Sequence, residues 1–193
     1  MGKKRKTTAE QKKVKAWLAE STEGFLQRAG VGQDQHVLDF GCHSGNYTLP
    51  AARIVGKRGM VYAIDKDKQM LRELRRTAKR NGLSNIEFVH MAGDGKLPLR
   101  RGLVDMVFLY DVLHRGYLPE AAQRKQVLEN IYRVLKPGGL LSFYPTHVKK
   151  YGLTVEKLLR EVRKVRFKLR GEARRRLVHD GKLVRGRIFT FRS

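Results

Sequence analysis

One stretch constrains this chain more than any other. Residues 36–45 read His-Val-Leu-Asp-Phe-Gly-Cys-His-Ser-Gly: a short apolar run, an acid, and two glycines four positions apart. An apolar run of that length closed by a glycine turn predicts a buried strand. Glycine lets the backbone turn tightly and lets a ligand approach with no Cβ in the way. A helix follows, and its first N–H groups lack intrahelical partners, so they suit a polar or anionic ligand group. The unit is therefore strand, ligand loop, helix, and the rest of the chain has to be built around it.

The rest repeats the same alternation. Residues 60–64 (Met-Val-Tyr-Ala-Ile) predict a second strand ending at Asp65, then a helix over 68–81 stopped by Gly82. Strands follow at 86–90 and 105–110, a helix at about 119–135 closed by Lys-Pro-Gly-Gly, and a fifth strand at 140–144. Strands alternating with helices predict a mostly parallel sheet covered on both faces, a Rossmann-like three-layer α/β sandwich. Right-handed crossovers then gather the strand carboxyl ends, and the ligand site, along one edge. Before this core, apolar residues from Ala9 to Ala29 recur at helical spacing. After it, 154–165 predicts a helix and 166–191 an antiparallel hairpin with Asp180-Gly181 as its turn. The domain reading is a basic, flexible arm over 1–13 and a single domain over 14–193.

A chain of 193 residues buries enough surface to fold without staples. Its single cysteine, Cys42, allows no internal disulfide. No apolar stretch approaches the ~20 residues of a membrane span, and no apolar signal core follows the basic start. The expectation is a soluble, cytoplasmic protein. The charge is unusual: 42 Lys/Arg against 18 Asp/Glu give a formal +24. Residues 149–193 hold sixteen of the basic residues and four of the acidic ones, and residues 1–20 hold seven and two. Such a field attracts polyanions, RNA first among them. The basic ends are therefore expected to bind RNA.

Three further acids line up with the first loop. Asp65 ends the second strand 24 residues after Gly41, where a carboxylate can accept both hydrogen bonds of a ribose diol. Ala92-Gly93-Asp94-Gly95 follows the third strand, where a carboxylate suits an adenine amino group. Tyr110-Asp111-Val112-Leu113-His114 follows the fourth.

In this order the motifs resemble those of the class I S-adenosylmethionine (SAM)-dependent methyltransferases, especially the small ubiquinone/menaquinone-biosynthesis type. The resemblance runs from about Val37 to Tyr144 and rests on residues 38–45, 63–65, 93–94, 105–114 and 135–139. It implies SAM as cofactor and methyl transfer to an acceptor, either a small molecule or RNA. By position, Asp39 anchors the methionine amino group, and Gly41, Cys42, His43 and Gly45 shape the loop beneath the methionine. Asp65 holds the ribose, with Lys66 beside the adenine. Asp94 and the Gly95 N–H read the adenine edge, and Tyr110 lines the methionine end. His114 is the candidate base by sequence position. The family's loop usually carries glycine where this chain has His43, so a side chain has to be accommodated there.

Several chemistries drop out. From Gly41, the third and sixth positions are His43 and Asn46, so the G-x-G-x-x-G/A dinucleotide fingerprint fails. Tyr110-Asp111-Val112-Leu113 stands where amino-methylating nucleic-acid enzymes of this fold carry Asn/Asp-Pro-Pro-Tyr/Phe. Cys42, in the cofactor loop, is not placed for nucleophilic attack on a pyrimidine. No cysteine or histidine spacing matches a zinc motif, and no metal is expected. The alternative is a catalytically idle SAM-fold protein that binds RNA and acts in assembly.

Overall fold

The structure, a computed structural model, describes residues 8–91 and 96–193. In chain order the elements are α1 (Ala9–Glu20), α2 (Thr22–Ala29), β1 (His36–Phe40), α3 (Thr48–Val55), β2 (Met60–Asp65), α4 (Lys68–Arg80) and β3 (Ile86–His90). Then come β4 (Val104–Tyr110), α5 (Ala121–Val134), β5 (Leu135–Tyr144), a 3₁₀ turn (Lys149–Tyr151), α6 (Val155–Lys164), β6 (Lys168–His179) and β7 (Lys182–Arg192).

The strands form one sheet in the order β3-β2-β1-β4-β5-β7-β6. The first five run parallel, while β7 is antiparallel to β5 and β6 to β7. This is the Rossmann-like sandwich with its antiparallel closing pair. Strand order reverses between β1 and β4, which opens a crevice at their carboxyl ends.

Strand periodicity explains the layers. Leu38, Phe40, Tyr62, Ile64, Val107 and Leu109 point to one face and pack with Val127, Leu128 and Ile131 of α5 and with Leu158 and Val162 of α6. Val37, Val61, Met106, Phe108 and Tyr110 point to the other, against Trp17, Phe25, Leu26, Ala51 and Val55 of α1–α3. Ala63 on that same alternation meets Leu71 and Leu74 of α4. Asp39 therefore shares a face with Tyr110, and both stand at the carboxyl edge. Buried Arg124 clamps α6 to α5 through two bonds to Glu161, at 2.9 and 3.1 Å.

Two details differ from the sequence reading. The continuous helix expected from Ala9 breaks at Ser21, whose φ of −120° leaves the helical region. The Thr22 hydroxyl bonds back to the Trp17 carbonyl there at 3.3 Å. The arm expected to run to residue 13 is already helical from Ala9, where Thr8 and Gln11 form a capping box. The Glu10 side chain also accepts the Leu183 N–H of β7 at 3.1 Å. Among the described residues no helix is long and apolar enough to cross a membrane.

Candidate active site

The loop after β1 is held by the neighbouring strand. The Gly41 and Cys42 N–H groups both donate to the Ile64 carbonyl, at 2.8 and 3.0 Å. Gly41 and Gly45 have φ of +79° and +78°, and a Cβ on them would meet Val112 at 2.5 Å and Leu74 at 2.2 Å. Any other residue type there would be strained by the backbone and would have to displace those side chains. His43 adopts φ +44°, the conformation that favours the family's glycine there. It is nevertheless exposed, and its N–H is bound at 2.8 Å by Asp65 Oδ2.

Asp65 accepts the Asp67 N–H at its other oxygen, 3.0 Å away. Two backbone donors thus fix the carboxylate plane while lone pairs remain for a diol. Asp39 is 4% exposed, and one oxygen accepts the Thr48 hydroxyl at 2.6 Å. Burial, with some repulsion from Asp65, pushes its pKa up to about 7, against the lowering effect of the Thr48 bond. A cation placed beside it would restore its charge.

These groups open on one cavity of about 520 Å³. Of the residues expected to bind cofactor, Asp39, Gly41, Cys42, His43, Asp65, Lys66 and Tyr110 line it. Gly45 lies under the loop against Leu74. Asp94 and Gly95 lie outside the described residues. The Tyr110 hydroxyl shares a 2.6 Å bond with Ser142 Oγ, and burial raises the pKa of the phenol. Burial likewise raises the Cys42 thiol, which keeps it protonated and unreactive.

His114 is placed differently from the sequence expectation. It is not among the residues lining the cavity. Its Nδ1 accepts the Gly116 N–H at 3.0 Å, and Nε2 lies 3.1 Å from the Asp111 carbonyl oxygen. Its ring stacks on Tyr151 with centroids 5.1 Å apart, and burial pulls its pKa below the ordinary imidazole value. With both nitrogens engaged by backbone, the ring shapes the loop after β4.

The sequence reading missed other lining residues. Tyr117 stands at the far side of the cavity with the Lys66 ammonium 4.1 Å over its ring. Both also line a smaller cavity of about 210 Å³ with Met91 and Leu118. At the opposite end lie Asp111, Tyr144, Val178, His179, Asp180 and Gly181. The last four belong to the tip of the β6–β7 hairpin, whose turn residues Asp180 and Gly181 have φ of 48° and 68°. The hairpin turn was legible in the sequence; its arrival over the carboxyl edge was not.

The donor set fits SAM. Asp39 is a buried carboxyl that a cation would ionise, Asp65 is a carboxylate fixed by backbone donors, and a glycine loop lies between them. A methyltransferase-domain family profile matches residues 37–139. The ubiquinone/menaquinone biosynthesis C-methyltransferase UbiE of Wigglesworthia glossinidia brevipalpis is 29% identical over 108 residues, covering 56% of this chain and 41% of that protein. The demethylmenaquinone methyltransferase of Geobacillus sp. (strain WCH70) is 31% identical over 117 residues, covering 61% of this chain and 47% of that protein. The chain thus spans less than half the length of these relatives. A crystal structure of a SAM-dependent methyltransferase from Aquifex aeolicus superposes with a TM-score of 0.67 at 23% identity, over 95% of this chain and 99% of that one. Loop geometry, acid placement and these likenesses agree that the chain belongs to the methyltransferase-domain family, with the fold of the SAM-dependent methyltransferases.

Proposed function

We propose that the protein methylates a small molecule whose reacting atom enters at the Asp111–His179 end of the cavity. In this reading Asp39 holds the methionine ammonium of SAM, and Asp65 holds the ribose hydroxyls. Lys66 and Tyr117 flank the adenine, which reaches toward Met91 and Leu118. The sulfonium then faces Tyr110 and Tyr144. Chemistry at this end is mostly a matter of alignment: the methyl carbon leaves sulfur in line with an acceptor lone pair. The surrounding tyrosines and Val112 exclude water, which favours dispersal of the sulfonium charge.

The observation that carries the reading is the cavity's lining. It continues past the cofactor ligands to a polar end under the hairpin tip, the size and enclosure of a small-molecule site. The relatives named for menaquinone and ubiquinone synthesis support a small acceptor. The test is transfer of labelled methyl from SAM into fractionated cell extract. Label should appear in the small-molecule fraction and depend on Asp65. Label confined to RNA would overturn the acceptor class.

One observation favours a second role for RNA alongside this activity. Arg28, Arg174, Arg175, Arg176 and Arg185 ring a groove floored by Trp17 and Phe25. Clustered guanidinium groups suit a phosphate backbone. Binding that survives near-physiological salt, and is lost when Arg174, Arg175 and Arg176 become Ala, supports a dedicated polyanion surface. Binding that vanishes for every RNA at that salt removes it.

A further inference from the structure

The polar end of the cavity holds a cluster that methyl transfer itself does not call for. Asp111 follows β4, His147 follows β5, and His179 and Asp180 form the tip of the β6–β7 hairpin. One donor atom from each lies within 4.8 Å of all the others. Only one contact among them has hydrogen-bond length: His179 Nδ1 to Asp111 Oδ2, at 2.9 Å. The remaining separations are longer. His147 Nε2 lies 3.4 Å from Asp111 Oδ1 and 3.7 Å from Asp180 Oδ2, and His179 Nε2 lies 3.7 Å from that same Asp180 oxygen.

Those distances are long for hydrogen bonds, yet those to Asp180 are close to what three ligands around one ion require. Metal–nitrogen and metal–oxygen bonds near 2.1 Å place tetrahedral ligands about 3.4 Å apart. The single short contact also has a place in such a site. A ligating histidine commonly donates its other ring N–H to a carboxylate, which fixes the tautomer and ring direction. Here Asp111 Oδ2 takes the proton of His179 Nδ1, which leaves Nε2 to face Asp180 and sets Asp111 behind the ligands rather than among them. Thr146 in turn donates its hydroxyl to Asp111 Oδ1.

Backbone and charge point the same way. Among the described residues six non-glycines have positive φ, and besides Asp180 of the hairpin turn they include Asp111 and His147, at 58° and 52°. Left-handed backbone at such residues is costly and persists where the surroundings impose it. Two of only eighteen acidic residues in a chain of net charge +24 meet here, and two carboxylates balance one divalent cation. Imidazole nitrogen in the set favours a transition ion over magnesium or calcium.

We propose that His147, His179 and Asp180 bind one divalent transition-metal ion of the zinc type at the acceptor end of the cavity, with Asp111 orienting His179 and the fourth position left for the acceptor. Asp111, His179 and Asp180 line that cavity themselves, so a bound ion meets whatever enters it. Resting on the methyl-transfer reading above, the ion selects acceptors with an ionisable oxygen, nitrogen or sulfur donor. Coordination releases the acceptor's proton to solvent. The acceptor lone pair then takes the methyl carbon, and the carbon–sulfur bonding pair stays on sulfur as a neutral thioether.

The test uses untagged, metal-stripped full-length protein titrated with Co²⁺ and competed with Zn²⁺. The expected result is one ion per chain with the visible absorption of four-coordinate cobalt. His147→Ala and His179→Asn should each weaken binding at least ~100-fold, with thermal unfolding measured alongside to show that each variant folds. His36→Ala and His90→Ala, outside the cluster, should leave the absorption unchanged. Absence of stoichiometric cobalt, or absorption that persists in the His147→Ala/His179→Asn double variant, overturns the site. SAM is titrated calorimetrically into the same metal-stripped protein. Loss of SAM binding with cobalt retained fails the methyl-transfer reading alone, and the reverse fails the metal alone.

Discussion

The two ends of one cavity are built on different plans. At the cofactor end, Asp39 and Asp65 come from adjacent strands of a single βαβ unit. Both are at most 5% exposed, and every oxygen contact they make is to a neighbour in that unit. At the other end, the residues come from three connections, and the His179–Asp111 bond spans 68 positions of sequence. Their side chains are between 18% and 66% exposed. In the proposed reading, a ligand common to a whole family is held by local, backbone-fixed groups. The end that distinguishes one enzyme from another is assembled by long-range closure of the sheet.

The sharpest way to break this comparison is through Asp39. Its raised pKa means the folded protein favours the neutral acid. Stability is therefore fullest below the ordinary carboxylate value and is lost as pH rises through about 7. Asp39→Asn keeps an acceptor for Thr48 and removes the buried charge. The cofactor-free variant should gain on the order of 2–4 kcal/mol at pH 8, since each tenfold change in proton affinity is worth about 1.4 kcal/mol. Denaturant melts read that gain. SAM affinity should fall in the same variant. In the unsubstituted protein it should weaken as pH drops below about 7 and level off above it. A variant no more stable than its parent would mean that Asp39 carries no latent charge for a cationic ligand.

Asp65→Ala comes next. It removes the expected ribose contacts and also leaves the His43 and Asp67 N–H groups without their acceptor. SAM binding measured by calorimetry should weaken by about 1.5–3 kcal/mol. An effect confined to thermal stability would make Asp65 a loop clamp and place the ribose elsewhere.

The smallest effect is expected at His43. Its left-handed backbone suits glycine, but glycine also gains freedom in the unfolded chain, and the two effects oppose each other. His43→Gly should change SAM affinity by less than tenfold, or ~1.4 kcal/mol. A gain of several hundredfold would show that the native loop obstructs its cofactor, and the cofactor end would no longer be the settled half of the comparison.

The same contrast explains what the sequence could tell. β1, β2 and β4 are apolar runs ended by glycine or an acid, so their existence and their ligand edge followed from local pattern. Gly41, Gly45 and Asp65 were legible because their roles depend on near neighbours. Asp180-Gly181 read clearly as a turn for the same reason. The split at Ser21 was not legible, because serine is tolerated within helices as well as at their ends. His147 and His179 gave no signal at all. No fixed spacing links them, and they meet only because β7 carries the hairpin back beside β5. Tyr117 escaped notice because it stands on an irregular loop with no motif around it. His114 looked catalytic from its neighbours in sequence, but its ring nitrogens face backbone partners three residues away or nearer.

The strand order holds one more consequence, for the timing of synthesis. β6 precedes β7 in the chain, yet β7 takes the inner place against β5 and β6 the outer edge. As a nascent chain emerges, β6 has nothing to pair with until β7 follows it out and docks. Every strand of the cofactor half is available by Tyr144, so that half can fold first. The acceptor end, by contrast, lacks His179 and Asp180 until the hairpin is out, so the two ends of the cavity are completed in order.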